Sequence, residues 1–168
     1  MSQDFDSARR ALIPEQSYSP FELGVLGRFV DFEKPVEFVG RRALEREQGR
    51  GGPPRRLVGL ELEWEPLEEL YRAKGLTPTL EPAASRVPIP LYARGRQIGK
   101  ATSTTWSPTL KKVVALASVA ADHSKVGTRI DVEWTVEAQR SRTGGTVTEL
   151  PFFNPKRKTS TVARSPAP

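Results

Sequence analysis

Arg129-Ile130-Asp131-Val132-Glu133-Trp134-Thr135-Val136 alternates charged or hydroxylated residues with large apolar ones. Successive side chains of a strand point to opposite faces, so this stretch predicts a strand with one face on a core and the other in water. The pattern recurs upstream in Val58-Gly59-Leu60-Glu61-Leu62-Glu63-Trp64, where even positions are apolar and odd ones small or acidic. Val113-Val114-Ala115-Leu116-Ala117-Ser118-Val119 is apolar on both faces and predicts a central strand. Pro90–Arg94 and Gln97–Thr102 flank Gly95-Arg96, a hairpin signal, and Gly144–Leu150 supplies a last strand. Short strands separated by turn signals predict a mainly β chain folded as an antiparallel barrel or sandwich, and closure into a barrel would remove exposed sheet edges.

The residues before this region read differently. Residues 1–20 are a polar, irregular lead-in ending at Pro20, and Phe21–Phe32 has strand-like content interrupted by Gly24 and Gly27. Gly40 and Gly49 bracket a run of good helix formers, Arg41–Gln48. Arg50-Gly51-Gly52-Pro53-Pro54 reads as a linker, which divides the chain into residues 1–52, 53–153 and a tail, 154–168, rich in proline and serine and expected to be disordered. Pro66–Gly75 carries the start and stop signals of a short helix, and Leu76–Pro90, with four prolines, reads as a long connection. Trp64 and Trp134 fall in phase with the apolar faces of their strands and are expected in the core. Trp106 stands between Thr102-Ser103-Thr104-Thr105 and Ser107-Pro108, where a turn is expected. There it would cover a core end or stack on a flat ligand.

Composition narrows the function classes. The 168 residues carry a net charge of +6, of which four charges (Lys156, Arg157, Lys158 and Arg164, with no acid among them) belong to the tail, so the remainder carries +2. No basic stripe of the kind that binds nucleic acid follows from that balance. There is no cysteine, which excludes disulfides and thiolate chemistry and is consistent with a reducing cytoplasm. No apolar run approaches the ~20 residues of a membrane span, and no hydrophobic leader follows Met1.

The common catalytic constellations are missing. One histidine, His123, without cysteine cannot form a typical structural zinc site, and neither Ser118 nor Ser124 lies in a G-x-S-x-G turn. His123 reads as a solvated loop residue. No phosphate loop or dinucleotide turn is present. Glu61 and Glu63, two apart on one predicted strand, read as an exposed face rather than as a carboxylate pair.

A resemblance carries the reading further. Gly99–Val119, with Thr102-Ser103, Ser107-Pro108 and Lys112 in order, resembles the C-terminal domain of the aminomethyltransferase family, which includes the glycine-cleavage T-protein and the folate-binding parts of dimethylglycine and sarcosine dehydrogenases. Gly127-Thr128 and the closing Pro151-Phe152 continue the pattern. Upstream, Ser19–Arg28, Phe38–Leu44 and Arg56–Leu60 resemble three further family segments, with Val25 an extra residue and Arg42 in place of a glutamate. The resemblance implies a C-terminal barrel preceded by a short α+β remnant of the folate-binding region. It also implies tetrahydrofolate as cofactor, in glycine cleavage or demethylation. The family's catalytic aspartate and its main folate-holding residues lie upstream of the matched segments, so no residue here inherits the catalytic role and a second chain supplying that region is the implied partner. Arg28, Trp106 and Arg157 are the candidate folate contacts: arginine suits the carboxylates of a folate tail and tryptophan its flat rings. Apolar residues near Phe21–Phe38, left uncovered, would favour self-association. The alternative reading is a small basic barrel that binds nucleic acid or a protein partner.

Overall fold

The computed structural model describes residues 30–33, 35, 37–80 and 83–155. A helix, α1 (Arg41–Gly49), precedes β1 (Arg55–Leu62) and a second helix, α2 (Trp64–Arg72). Then come β2 (Ile89–Ala93), β3 (Arg96–Ser107), β4 (Lys112–Ala120), a 3-10 turn (Ala121–His123), β5 (Arg129–Val136) and β6 (Gln139–Thr148). The six strands close into an antiparallel barrel in the order β1-β4-β3-β2-β5-β6, with β6 paired back to β1. The expected mainly β barrel is therefore what forms.

Inside it, Leu60, Leu91, Val113, Ala115, Ala117, Val119, Ile130, Val132 and Val147 are buried. Burying each of the larger side chains contributes roughly 1.5–3 kcal/mol. Period two places alternate residues of β4 inside, yet Val114 on its outer face is also buried. The chain returns after β6 along this side, where Phe152 meets Gly59 of β1 and Leu150-Pro151-Phe152 line one cleft with Leu57, Val114 and Leu116.

Helix α2 packs against β5 and β6, inserts the fully buried Leu67 into the core, and brings the Tyr71 hydroxyl within 3.3 Å of Trp134 Nε1, which donates to it. Two turns use left-handed backbone. Arg94 and Gly95 have φ 49° and 77° between β2 and β3; Glu137 and Ala138 have φ 51° and 58° between β5 and β6. Successive positive φ values are the signature of the hairpin turn whose twist matches that of the strands.

Three expectations are corrected. The stretch Thr102–Ser107 is not a turn: β3 runs through it, paired with β4 from Gly99↔Val119 to Ser107↔Lys112, with an irregularity between Ala101 and Ser103. Cross-strand bonding outweighs local turn preference there, and Thr102 Oγ1 donates to Leu116 O rather than to its own loop. Ser107 does act as expected, its Oγ accepting from Leu110 N–H at 3.3 Å in the turn that follows. Trp64 is not a core residue; it opens α2 and is 37% exposed, because β1 ends at Leu62. The last strand begins at Gln139 rather than Gly144. The lead-in 1–20, most of Phe21–Phe32, and all but two residues of the 154–168 tail lie outside the described residues.

Candidate functional site

Of the three candidate folate contacts, Trp106 is described; Arg28 and Arg157 lie outside the described residues. Trp106 is the penultimate residue of β3, paired with Val113 and packed half-buried against the core. Its ring meets that of Trp64 at a centroid distance of 5.5 Å and an interplanar angle of 57°, a tilted contact of the kind aromatic quadrupoles favour. Trp106 is thus a wall residue whose aromatic partner is itself partly open to solvent.

Nearby, Glu61 pairs with Lys112 across β1 and β4, and Glu63 accepts two bonds from Arg129, at 2.8 and 2.9 Å. Each carboxylate is held by its own cation, in line with the exposed-face reading. A substituent on Gly144 would run into the Glu63 carboxylate, so this ion pair needs a glycine beneath it. Among the described residues there is no cluster of three or more histidine, aspartate or glutamate side chains suited to a metal ion.

A second constellation joins β2, β5 and β6. The Tyr92 hydroxyl donates to Glu133 Oε2 at 3.0 Å, and Arg142 lies 4.3 Å above the Tyr92 ring centroid. Arg140 and Arg142 approach Glu133 and Asp131, each at 3.9 Å. Burial, then the bond to Glu133, pushes the Tyr92 phenol above its ordinary value. Tyr92, Glu133 and Arg142 thus tie β2, β5 and β6 together. A cleft of about 410 Å³ opens beside it, between Val87-Pro88-Ile89-Pro90 and Trp134.

Two further clefts flank the barrel. One, of about 630 Å³, is the apolar groove under Leu150-Pro151-Phe152. The other, of about 560 Å³, lies at the end of the barrel remote from Trp106 and is lined by Arg55, Arg94, Arg96, Gln97, Asp122 and His123, together with Ala93, Ile98 and Ala120. His123, read from sequence as a solvated loop residue, is half-buried in the 3-10 turn, with Nε2 3.7 Å from Asp122. Arg94 ends the first strand of the expected hairpin and Arg96 belongs to its Gly95-Arg96 turn signal, which marks neither as a ligand. Arg55 is 39 residues from Arg94 along the chain, and no local signal joins them.

Residues 55–154 match the family model described as the glycine cleavage T-protein C-terminal barrel domain. The aminomethyltransferase of Synechococcus sp. (strain CC9902) is 39% identical over 135 residues, covering 80% of this chain and 31% of that protein. The aminomethyltransferase of Synechococcus sp. (strain CC9311) is 34% identical over 151 residues, covering 90% of this chain and 32% of that protein. Among solved structures, the glycine cleavage system aminomethyltransferase T from Bartonella henselae superposes with a TM-score of 0.59 at 21% identity, over 82% of this chain and 32% of that one. At that identity the likeness concerns the fold. The chain spans about a third of the length of the curated relatives it matches.

Proposed function

This chain belongs to the glycine cleavage T-protein C-terminal barrel domain family, and from that premise we propose that it supplies the barrel portion of a tetrahydrofolate-dependent one-carbon transfer protein acting in glycine cleavage or demethylation. Taken alone, these 168 residues transfer no aminomethyl group. They act in the cytoplasm with a folate-binding region supplied by another chain. Arg28, Trp106 and Arg157 contribute at the folate, the arginines to its carboxylates and the tryptophan to its rings. No helix among the described residues is long and apolar enough to cross a membrane.

The observation that carries the reading of inactivity is the state of the cleft carboxylates. Glu133 accepts from Tyr92 and faces Arg140, while Asp122 faces His123. Assisting attack by a folate nitrogen takes a positioned carboxylate within hydrogen-bond reach of a bound ligand. Among the described residues, the carboxylate of one cleft, Glu133, is engaged by a phenol and a guanidinium, and that of another, Asp122, is 77% exposed beside a histidine. A rim contributing one or two contacts of roughly 1–2 kcal/mol each falls well short of the ~8 kcal/mol of micromolar affinity.

The test is a calorimetric titration of the chain with tetrahydrofolate, an aminomethyl-transfer assay, and sizing chromatography on the same sample. Weak or absent folate binding, no turnover and self-association are expected; Phe38 and Val39, 37% and 105% exposed, supply apolar surface for the last. Micromolar folate binding by a monomer would replace this reading with a self-sufficient folate protein.

A further inference from the structure

We propose that the cleft between Arg55, Arg94 and Arg96 is a binding site for a compact polyanion, a small molecule bearing two or more phosphate or carboxylate groups.

Three separate segments bring these charges together. Arg55 opens β1, Arg94 and Arg96 straddle Gly95 in the β2–β3 turn, and His123 closes the 3-10 turn after β4. The placement is fixed by backbone. Arg55 pairs with Ala120 in the β1–β4 ladder, Ala93 pairs with Arg96, and Ala121 N–H donates to Pro54 O at 2.9 Å, fastening the 3-10 turn to the residue before Arg55. Arg55 is itself oriented, its Nε donating to Ser118 Oγ at 3.2 Å and its Nη2 to Ser118 O at 3.0 Å. One guanidinium is thus built into the wall while two stand at the rim.

Two of these charges, those of Arg94 and Arg96, stand without a partner among the described residues, and Asp122 is the one acid in the lining. Like charges gathered in a concave cleft raise the local potential and draw counter-anions, and planar guanidinium forks match the geometry of phosphate and carboxylate oxygens. A cleft of about 560 Å³ has the size of a small-molecule site. Ala93, Ile98 and Ala120 complete the lining with small or apolar surface.

The site stands apart from the folate reading. Arg96 opens β3 and Trp106 nearly ends it, ten residues on and roughly 30 Å away along a strand. Loss of either proposal leaves the other intact.

The test is calorimetric titration of the full 168-residue chain with inorganic pyrophosphate and, separately, with citrate. Stoichiometric binding of at least one is expected, and which one binds identifies phosphate or carboxylate as the group recognised. The double variant R94S/R96S, which changes exposed side chains and leaves Gly95 in place, should weaken binding at least about tenfold, the loss of roughly one charge-assisted hydrogen bond. R94K/R96K should fall between, because lysine keeps the charge and loses the fork. A variant with Lys156, Lys158 and Arg164 changed to serine should bind like the parent. No binding of either anion up to about 10 mM, a range that covers even millimolar affinity, would overturn the proposal. So would equal binding by R94S/R96S with an unchanged circular dichroism spectrum, or loss of binding in the tail variant alone.

Discussion

The ring of Phe152 occupies the space above Gly59: a Cβ added to Gly59 would stand 2.7 Å from Phe152 Cε1 and 3.0 Å from Thr148 Cγ2. Two positions of the family-like pattern, 93 residues apart, are therefore one contact, in which the segment after β6 lies across the outer face of β1.

Gly59→Ala should force that ring outward and destabilise the barrel by roughly 1–3 kcal/mol, the usual cost of overpacking. Phe152→Ala should cost about as much by removing the ring that meets Gly59 and lines a cleft with Leu57, Val114 and Leu116. The double variant should lose less than the sum, because both changes act on one contact. Urea unfolding of the four proteins measures this, and strict additivity would show that the two residues do not meet.

Ala138 holds φ at 58° in the β5–β6 turn, a region that costs a residue with a Cβ about 1–2 kcal/mol and glycine little. Ala138→Gly should therefore stabilise the protein, by about 0.5–1 kcal/mol once glycine's greater freedom in the unfolded chain is subtracted. The melting temperature should rise by about 2 °C. A fall in melting temperature would mean that the turn relaxes to another form.

Tyr92 should ionise above the ordinary phenol range, because burial and the bond to Glu133 both favour its neutral form. Its folded value exceeds its unfolded one, so its contribution to stability is fully present below the unfolded value of about 10 and is lost as pH rises through the folded value. Ultraviolet difference titration should show a late phenol in the parent that is absent from Tyr92→Phe. The gap in stability between the two proteins should narrow as the pH is raised above that of ordinary phenols. The absence of any phenol that titrates late in the parent and is lost in Tyr92→Phe would contradict the Tyr92–Glu133 bond.

Much of the barrel was legible because its causes are local. The alternation in Arg129–Val136, the apolar run Val113–Val119 and the glycine of the β2–β3 hairpin each report which face of a strand is wet, and that depends on side chains two residues apart. The family-like pattern was also legible, since Gly99, Thr102-Ser103, Ser107-Pro108 and Pro151-Phe152 stand in order. Tertiary structure decided what depends on partners distant in the chain. Thr102–Ser107 carries local turn signals yet extends as β3, because β4 offers backbone partners along its whole length. Trp64 shares the period of β1 but leaves it, because the strand ends at Leu62 and α2 must turn to bury Leu67. The clustering of Arg55, Arg94, Arg96 and His123 left no trace in the sequence at all. Those residues meet because β1 pairs with β4 across a separation of more than fifty residues and β4 pairs in turn with β3, which sets their strand ends side by side.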